Sequence, residues 1–180
     1  MSTALVPRHK HLFPTWSLLG VGAVLSAGLA GAVFVADHVN PDDTLHEVAL
    51  FGHLACLVLG FGAVLAVDWV GLLWLLGHRN LPEVLETAGN VQVPIWIGLA
   101  GLLVSGVLLE PDLTGHWTRL KLLLVLVVIW NGLLAGALHR GLAARAGTDA
   151  PRLLIGLAAL STLVSQAGWW GSMVIGFLNH

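Results

Sequence analysis

The sequence predicts an all-α, polytopic membrane bundle of five transmembrane helices, with the N-terminus inside and the C-terminus outside. Three observations carry that reading. Of the 180 residues, 57 % are hydrophobic and 10 % charged, whereas soluble domains carry roughly 25 % charged residues to cover their surface. The mean hydropathy is +0.86. Five apolar runs then follow one another, each close to or above the roughly 20 residues that cross a bilayer as a helix. None alternates with period two, so helices rather than barrel strands satisfy the backbone in lipid.

The runs are Trp16 to Ala36, Val48 to Leu76, Val91 to Leu109, Leu120 to Leu138 and Leu153 to Leu178. The first follows Arg8 and Lys10 and contains Ala30-Gly31-Ala32, a small-x-small pattern that a cleaved signal peptide would also show. Its apolar stretch continues through Val33, Phe34 and Val35, longer than a usual signal core, and it is read as a membrane helix. The second and fifth, at 29 and 26 residues, exceed the bilayer core and should tilt or project. Pro41, Pro82 and Pro111 punctuate three loops, Pro151 precedes the fifth helix, and Pro94 is placed in the first turn of the third. The chain reads as a single transmembrane domain over 1–180, a four-helix core at about 48–178 with the helix at about 16–36 added to it.

Orientation comes from the basic residues. Arg8, Lys10, Arg79, Arg140, Arg145 and Arg152 fall on one set of loops, Arg119 and Lys121 on the other. The acidic Asp37, Asp42, Asp43, Glu47, Glu110 and Asp112 lie on the second, outer set.

Composition also excludes functions. A net charge of −2 leaves no basic footprint for nucleic acid. One cysteine, Cys56, cannot form an internal disulfide, a CxxC pair or a thiolate zinc cluster. No triad, phosphate loop or zinc-protease motif is present.

Ionisable side chains at membrane depth point to function unless they are paired or hydrated. His53 and Asp68 are two such groups on the second helix. Fifteen residues place them about 60° apart around the axis and roughly 22 Å apart along it, hence in different sites. His46 lies seven residues before His53 on nearly the same face. A neutral imidazole is a common metal ligand and a usual axial ligand of haem iron. A single hydrogen bond to a neighbouring helix is the structural alternative for His53. His116, Lys121 and Met173 fall at the same outer end, with His38 and Cys56 nearby. His53 and His46 are the metal-ligand candidates, with His116 and Met173 added for a cofactor. His9, His11, His78 and His139 are assigned interfacial or charge roles.

Asp68 reads either as a proton relay or as a helix–helix hydrogen bond, with Asn131 as a candidate partner. Ser161, Thr162, Ser165, Gln166, Trp169 and Ser172 form a polar stripe on the fifth helix, suited to interhelical hydrogen bonds or to a substrate or quinone pocket. Gly132 and Gly136, and Gly52, Cys56 and Gly60, read as helix-packing stripes. Trp16, Trp74, Trp117, Trp169 and Trp170 read as interfacial anchors.

Phe51-Gly52-His53-Leu54, Ile97-Gly98-Leu99-Ala100-Gly101 and Trp117-Thr118-Arg119-Leu120-Lys121-Leu122-Leu123 carry a family resemblance. Over about 130 residues, helices two to five resemble the four-helix core shared by the copper-resistance D proteins and the bacterial non-flavin, haem-containing protoporphyrinogen oxidases. The chain differs in its added N-terminal helix and in Gly60-Phe61-Gly62, where the oxidases more often show Trp-Phe-Gly. The resemblance implies a multi-pass protein of the inner (cytoplasmic) membrane, with haem at His53 and activity tied to Lys121. The expected function is therefore a haem b redox protein passing electrons between a quinone or porphyrin and a membrane or periplasmic partner, with Lys121 and Asp68 as catalytic candidates. Lys121 would face a haem or porphyrin carboxylate, or would simply snorkel to the interface. A copper-handling protein and a cofactor-free accessory subunit are the alternatives, and self-association is open.

Overall fold

The computed structural model describes residues 15–145 and 151–178. Arg8, His9, Lys10 and His11 lie outside them. Five helices follow: α1 (Thr15–Ala36), α2 (Asp43–Leu75), α3 (Leu81–Val107), α4 (His116–Ala143) and α5 (Arg152–Leu178). All five are long and apolar enough to cross a membrane.

Helix ends are set by capping rather than by where the apolar run begins. Asp42 caps α2, its carboxylate accepting from Leu45 N at 2.7 Å, and Asp43 follows in the first turn, where the helix dipole favours an anion. His46 is therefore helical. The other end of α2 closes in a Schellman motif: Gly77 adopts φ 76°, Gly77 N donates to Trp74 O and His78 N to Leu73 O. Asn80 caps α3 by accepting from Glu83 N at 3.0 Å, and its amide donates back to the Glu83 carboxylate at 3.0 Å. This start lies ten residues before the apolar run, so Pro82 is in the first turn and Pro94 is mid-helix. Pro94 there leaves the Asn90 carbonyl without its helical donor. α4 likewise runs to Ala143, taking His139 and Arg140 into the helix.

Two antiparallel hairpins, α2–α3 and α4–α5, make the principal packings, and α1 rests on α3 and α4. The α2–α3 crossing is tightest at Gly60 and Gly98, where a Cβ on either glycine would fall against the other's backbone. Cys56 presses on Gly101 one turn away. Gly52 has open space around it, so the packing stripe on α2 consists of Cys56 and Gly60. Gly132 and Gly136 do not bring two backbones together. They receive the Trp96 ring and the Gln92 amide of α3, at 3.3 and 3.1 Å from the position of a Cβ.

The core joins the hairpins and α1 through Leu29, Phe61, Val64, Leu99, Val128, Ile129 and Trp169. Trp169 is 4 % exposed and stacks on Phe61 at 5.7 Å, so it is a core residue and not an interfacial anchor. Large apolar side chains point outward instead, among them Phe51 at 76 % and Val58 at 75 % exposure. An apolar exterior of this extent suits a bilayer as its surroundings. The bundle thus has an acidic end, bearing the α1–α2 and α3–α4 connections, and an arginine end, bearing Arg79, Arg140, Arg145 and Arg152.

Candidate functional site

The predicted residues separate into two regions, one towards each end of the bundle. Towards the acidic end, His53 on α2 meets Ser105 on α3, with Nδ1 2.9 Å from Oγ. Ser105 Oγ also lies 2.6 Å from Gly101 O one turn back. A hydroxyl has a single proton, and the carbonyl can only accept it. Ser105 therefore accepts from His53 Nδ1–H, and the lone pair of the ring is on Nε2. Such a second hydrogen bond is how metal-binding imidazoles are held in one tautomer. The donor chemistry consequently fits one axial bond to a haem iron.

Lys121 on α4 lies at the same end. Its Nζ would be 3.2 Å from a Cβ on Gly176 of α5, and it is near enough to His53 for the two to interact electrostatically. Ser172, one turn from Gly176 on the stripe of α5 that faces α4, has a buried Oγ without a hydrogen-bond partner among the described residues. The other candidates are not assembled around His53. His46 is half-buried, His116 is exposed at the start of α4, and Met173 packs on the core. His38 Nδ1 is taken by Phe34 O at 2.8 Å, and its ring lies on that of Phe34. Among the described residues no three His, Cys, Asp or Glu side chains converge as a metal site.

The second region is a cavity of about 160 Å³ between the hairpins, running from mid-bundle towards the arginine end. Its polar lining comes from all four core helices: Asp68 of α2, Gln92 of α3, Asn131 and His139 of α4, and Ser161, Thr162 and Ser165 of α5. His46, His53, His116, Lys121 and Met173 do not line it. Asn131 and Ser161 satisfy each other, with Asn131 Nδ2 donating to Ser161 O at 2.9 Å and Ser161 Oγ donating to Asn131 Oδ1 at 3.0 Å.

Asn131 is thus not the partner of Asp68, contrary to the sequence reading. Gln166 is: its Nε2 donates to Asp68 Oδ2, while its Oε1 accepts from Trp170 Nε1 at 2.8 Å. The indole can only donate, so it orients the amide that holds the carboxyl. The polar stripe of α5 therefore does both things open to it, bonding neighbouring helices and lining a cavity. Asp68 and Lys121 belong to opposite halves of the bundle and form no common catalytic pair.

Ser105 and Gln92 were not singled out from sequence, where they are lone polar residues in an apolar run. His139, read as an interfacial or charge residue, has its ring against Gly89, Nε2 being 3.5 Å from a Cβ there. Its Nδ1 is buried without a partner among the described residues.

No protein-family model, curated protein or solved structure matches this chain.

Proposed function

We propose that this multi-pass protein is a haem b redox protein of the inner membrane, passing electrons between a quinone or porphyrin and a partner protein at the outer face. The observation that supports this most is the relay Gly101–Ser105–His53, which commits Nδ1 to the protein and leaves the Nε2 lone pair for iron. A bound haem would supply one-electron transfer.

The chain's own residues prepare its place. Ser105 fixes the orientation of His53, and the Lys121 ammonium offers a charge partner to a haem or porphyrin carboxylate in surroundings where water is scarce. A second axial position would go to His46, His116 or Met173 only if one of them moved to His53, and would otherwise be left unfilled by this chain. Copper handling has less support, because the described residues bring together no three-ligand cluster. The positive-inside distribution places the acidic end outside.

Absorption spectra of the detergent-purified protein, produced with haem supply ensured, test the reading. A Soret band, sharpened α and β bands on dithionite reduction, and about one b-type haem per chain by pyridine haemochrome are expected. A colourless protein would overturn it.

A further inference from the structure

The cavity between the hairpins has no part in holding a group at His53, and it has the properties of a second site. We infer that it binds one six-membered ring bearing hydroxyl or carbonyl oxygens, the head group of a quinol or quinone delivered from the bilayer.

Size is the first argument. At about 160 Å³ the space is close to that of an apolar cavity of about 150 Å³ that takes up benzene. It is far too small for a haem. Wall chemistry is the second. Val64, Ile95, Leu99 and Val128 supply apolar surface, and Trp96 and Trp169 supply aromatic surface. A few polar groups converge on such a wall, as in small-molecule sites generally.

Availability of those polar groups is the third argument. Asn131 and Ser161 are spent on each other. Asp68 gives Oδ2 to Gln166 and has a second oxygen for a ligand hydroxyl. His139 lines the same wall, and because its Nδ1 is buried with no partner among the described residues, a turn of the ring would be needed to offer that nitrogen to a ligand. The Gln92 amide, resting on Gly136, can donate to a ring carbonyl. Since all four walls are membrane-spanning helices, the ligand that reaches them is lipid-soluble apart from its ring oxygens. The inference rests on the proposed redox function only for the use made of the ligand, because binding is measured without haem.

The experiment uses the full chain in quinone-free phosphatidylcholine nanodiscs and an azido-benzoquinone with a short isoprenoid tail. Irradiation should attach about one label per chain to α2–α5 residues lining the cavity, and unlabelled decylubiquinone should compete it away. Ala135→Trp, which fills the space, should reduce competed labelling at least about tenfold, and Gln92→Leu, which removes the amide that donates to a ring carbonyl, should weaken it by up to about tenfold, the loss of one hydrogen bond. His53→Ala should label as the parent does. Label spread over lipid-facing α1 without competition, or unchanged labelling of a folded Ala135→Trp protein, would overturn the inference. Should Ala135→Trp not fold, the position of the competed label in the unaltered chain decides. Cavity labelling in a colourless protein sustains this site and removes the haem reading, whereas one haem per chain without competed label does the reverse.

Discussion

Ser105 determines which nitrogen of His53 carries the proton. Its hydroxyl is spent on Gly101 O at 2.6 Å, so at 2.9 Å from Nδ1 it can only accept. Ser105→Ala removes the acceptor and frees the ring to turn. The expected outcome is a folded protein destabilised by about 1 kcal/mol, with less haem retained per chain and an altered midpoint potential. Ser105→Thr, which keeps the hydroxyl, should retain both. Thermal melts, haemochrome and a redox titration report the three effects. Equal haem content and potential in Ser105→Ala would show that the hydrogen bond only packs two helices.

The α2–α3 crossing gives a graded series. A Cβ on Gly98 would enter the backbone of Gly60, and Gly98→Ala should cost about 2 kcal/mol or more, at the upper part of the overpacking range. Gly28, with nothing within 4 Å of its Cβ position, should accept alanine without loss. Gly101→Ala would collide with Cys56 Sγ, a flexible end that can be removed. Combining it with Cys56→Ala should restore most of the stability. Detergent melts of the four variants measure the order, and a double variant no better than Gly101→Ala would refute the contact.

Gln166 ties α5 to α2 through Asp68 and is itself held by Trp170. Gln166→Leu leaves a membrane-embedded carboxyl without its partner, and a loss of about 1–3 kcal/mol is expected. Asp68→Asn in the same background should recover part of it, because a neutral amide replaces the carboxyl. Additive losses in the double-variant cycle would mean that the two side chains do not interact.

Outside the membrane, Asp112 opens the turn before α4. Its Oδ1 accepts from Thr114 Oγ1 at 2.6 Å and from Thr114 N at 2.9 Å. These bonds, the hydroxyl first, hold the carboxyl below its ordinary range. The folded value lies below the unfolded one, so the contribution to stability is present above the unfolded value near 3.9 and is lost as pH falls through the folded one. A carbon-13 NMR titration should show Asp112 titrating low, and Thr114→Val should move it upward. An unchanged midpoint in the variant would deny the hydroxyl its role.

Number and class of the helices were legible because lipid requires long apolar runs. Their starts were not, since the first two turns of α2 and α3 carry Asp43, Glu47, Glu83 and Glu86 beyond the apolar stretch. The cap Asn80 with Glu83 three residues later was the readable signal for α3. The apartness of His53 and Asp68 followed from helix geometry alone. Which polar groups meet across helices did not, because it depends on relative tilt and shift. From sequence, Asn131 is the candidate partner for Asp68 and Gln166 only a member of the α5 stripe, and packing instead pairs Asn131 with Ser161 and Gln166 with Asp68. Trp169 misled for a related reason: an indole near a span end suits an interface, yet here Gly60 and Phe61 admit it to the core. Of the cavity, a gap between hairpins, only the α5 wall was legible, in the polar stripe of Ser161, Thr162 and Ser165.

On the proposed function, His53 Nε2 would bind haem iron. The most direct measurement is the haem content and reduced spectrum of His53→Ala beside the parent, each with and without added imidazole. The parent should carry about one haem b per chain. The variant should fold yet be largely haem-free, and imidazole should restore part of the parent's reduced bands. A folded His53→Ala protein with the parent's haem content and spectrum would contradict the claim.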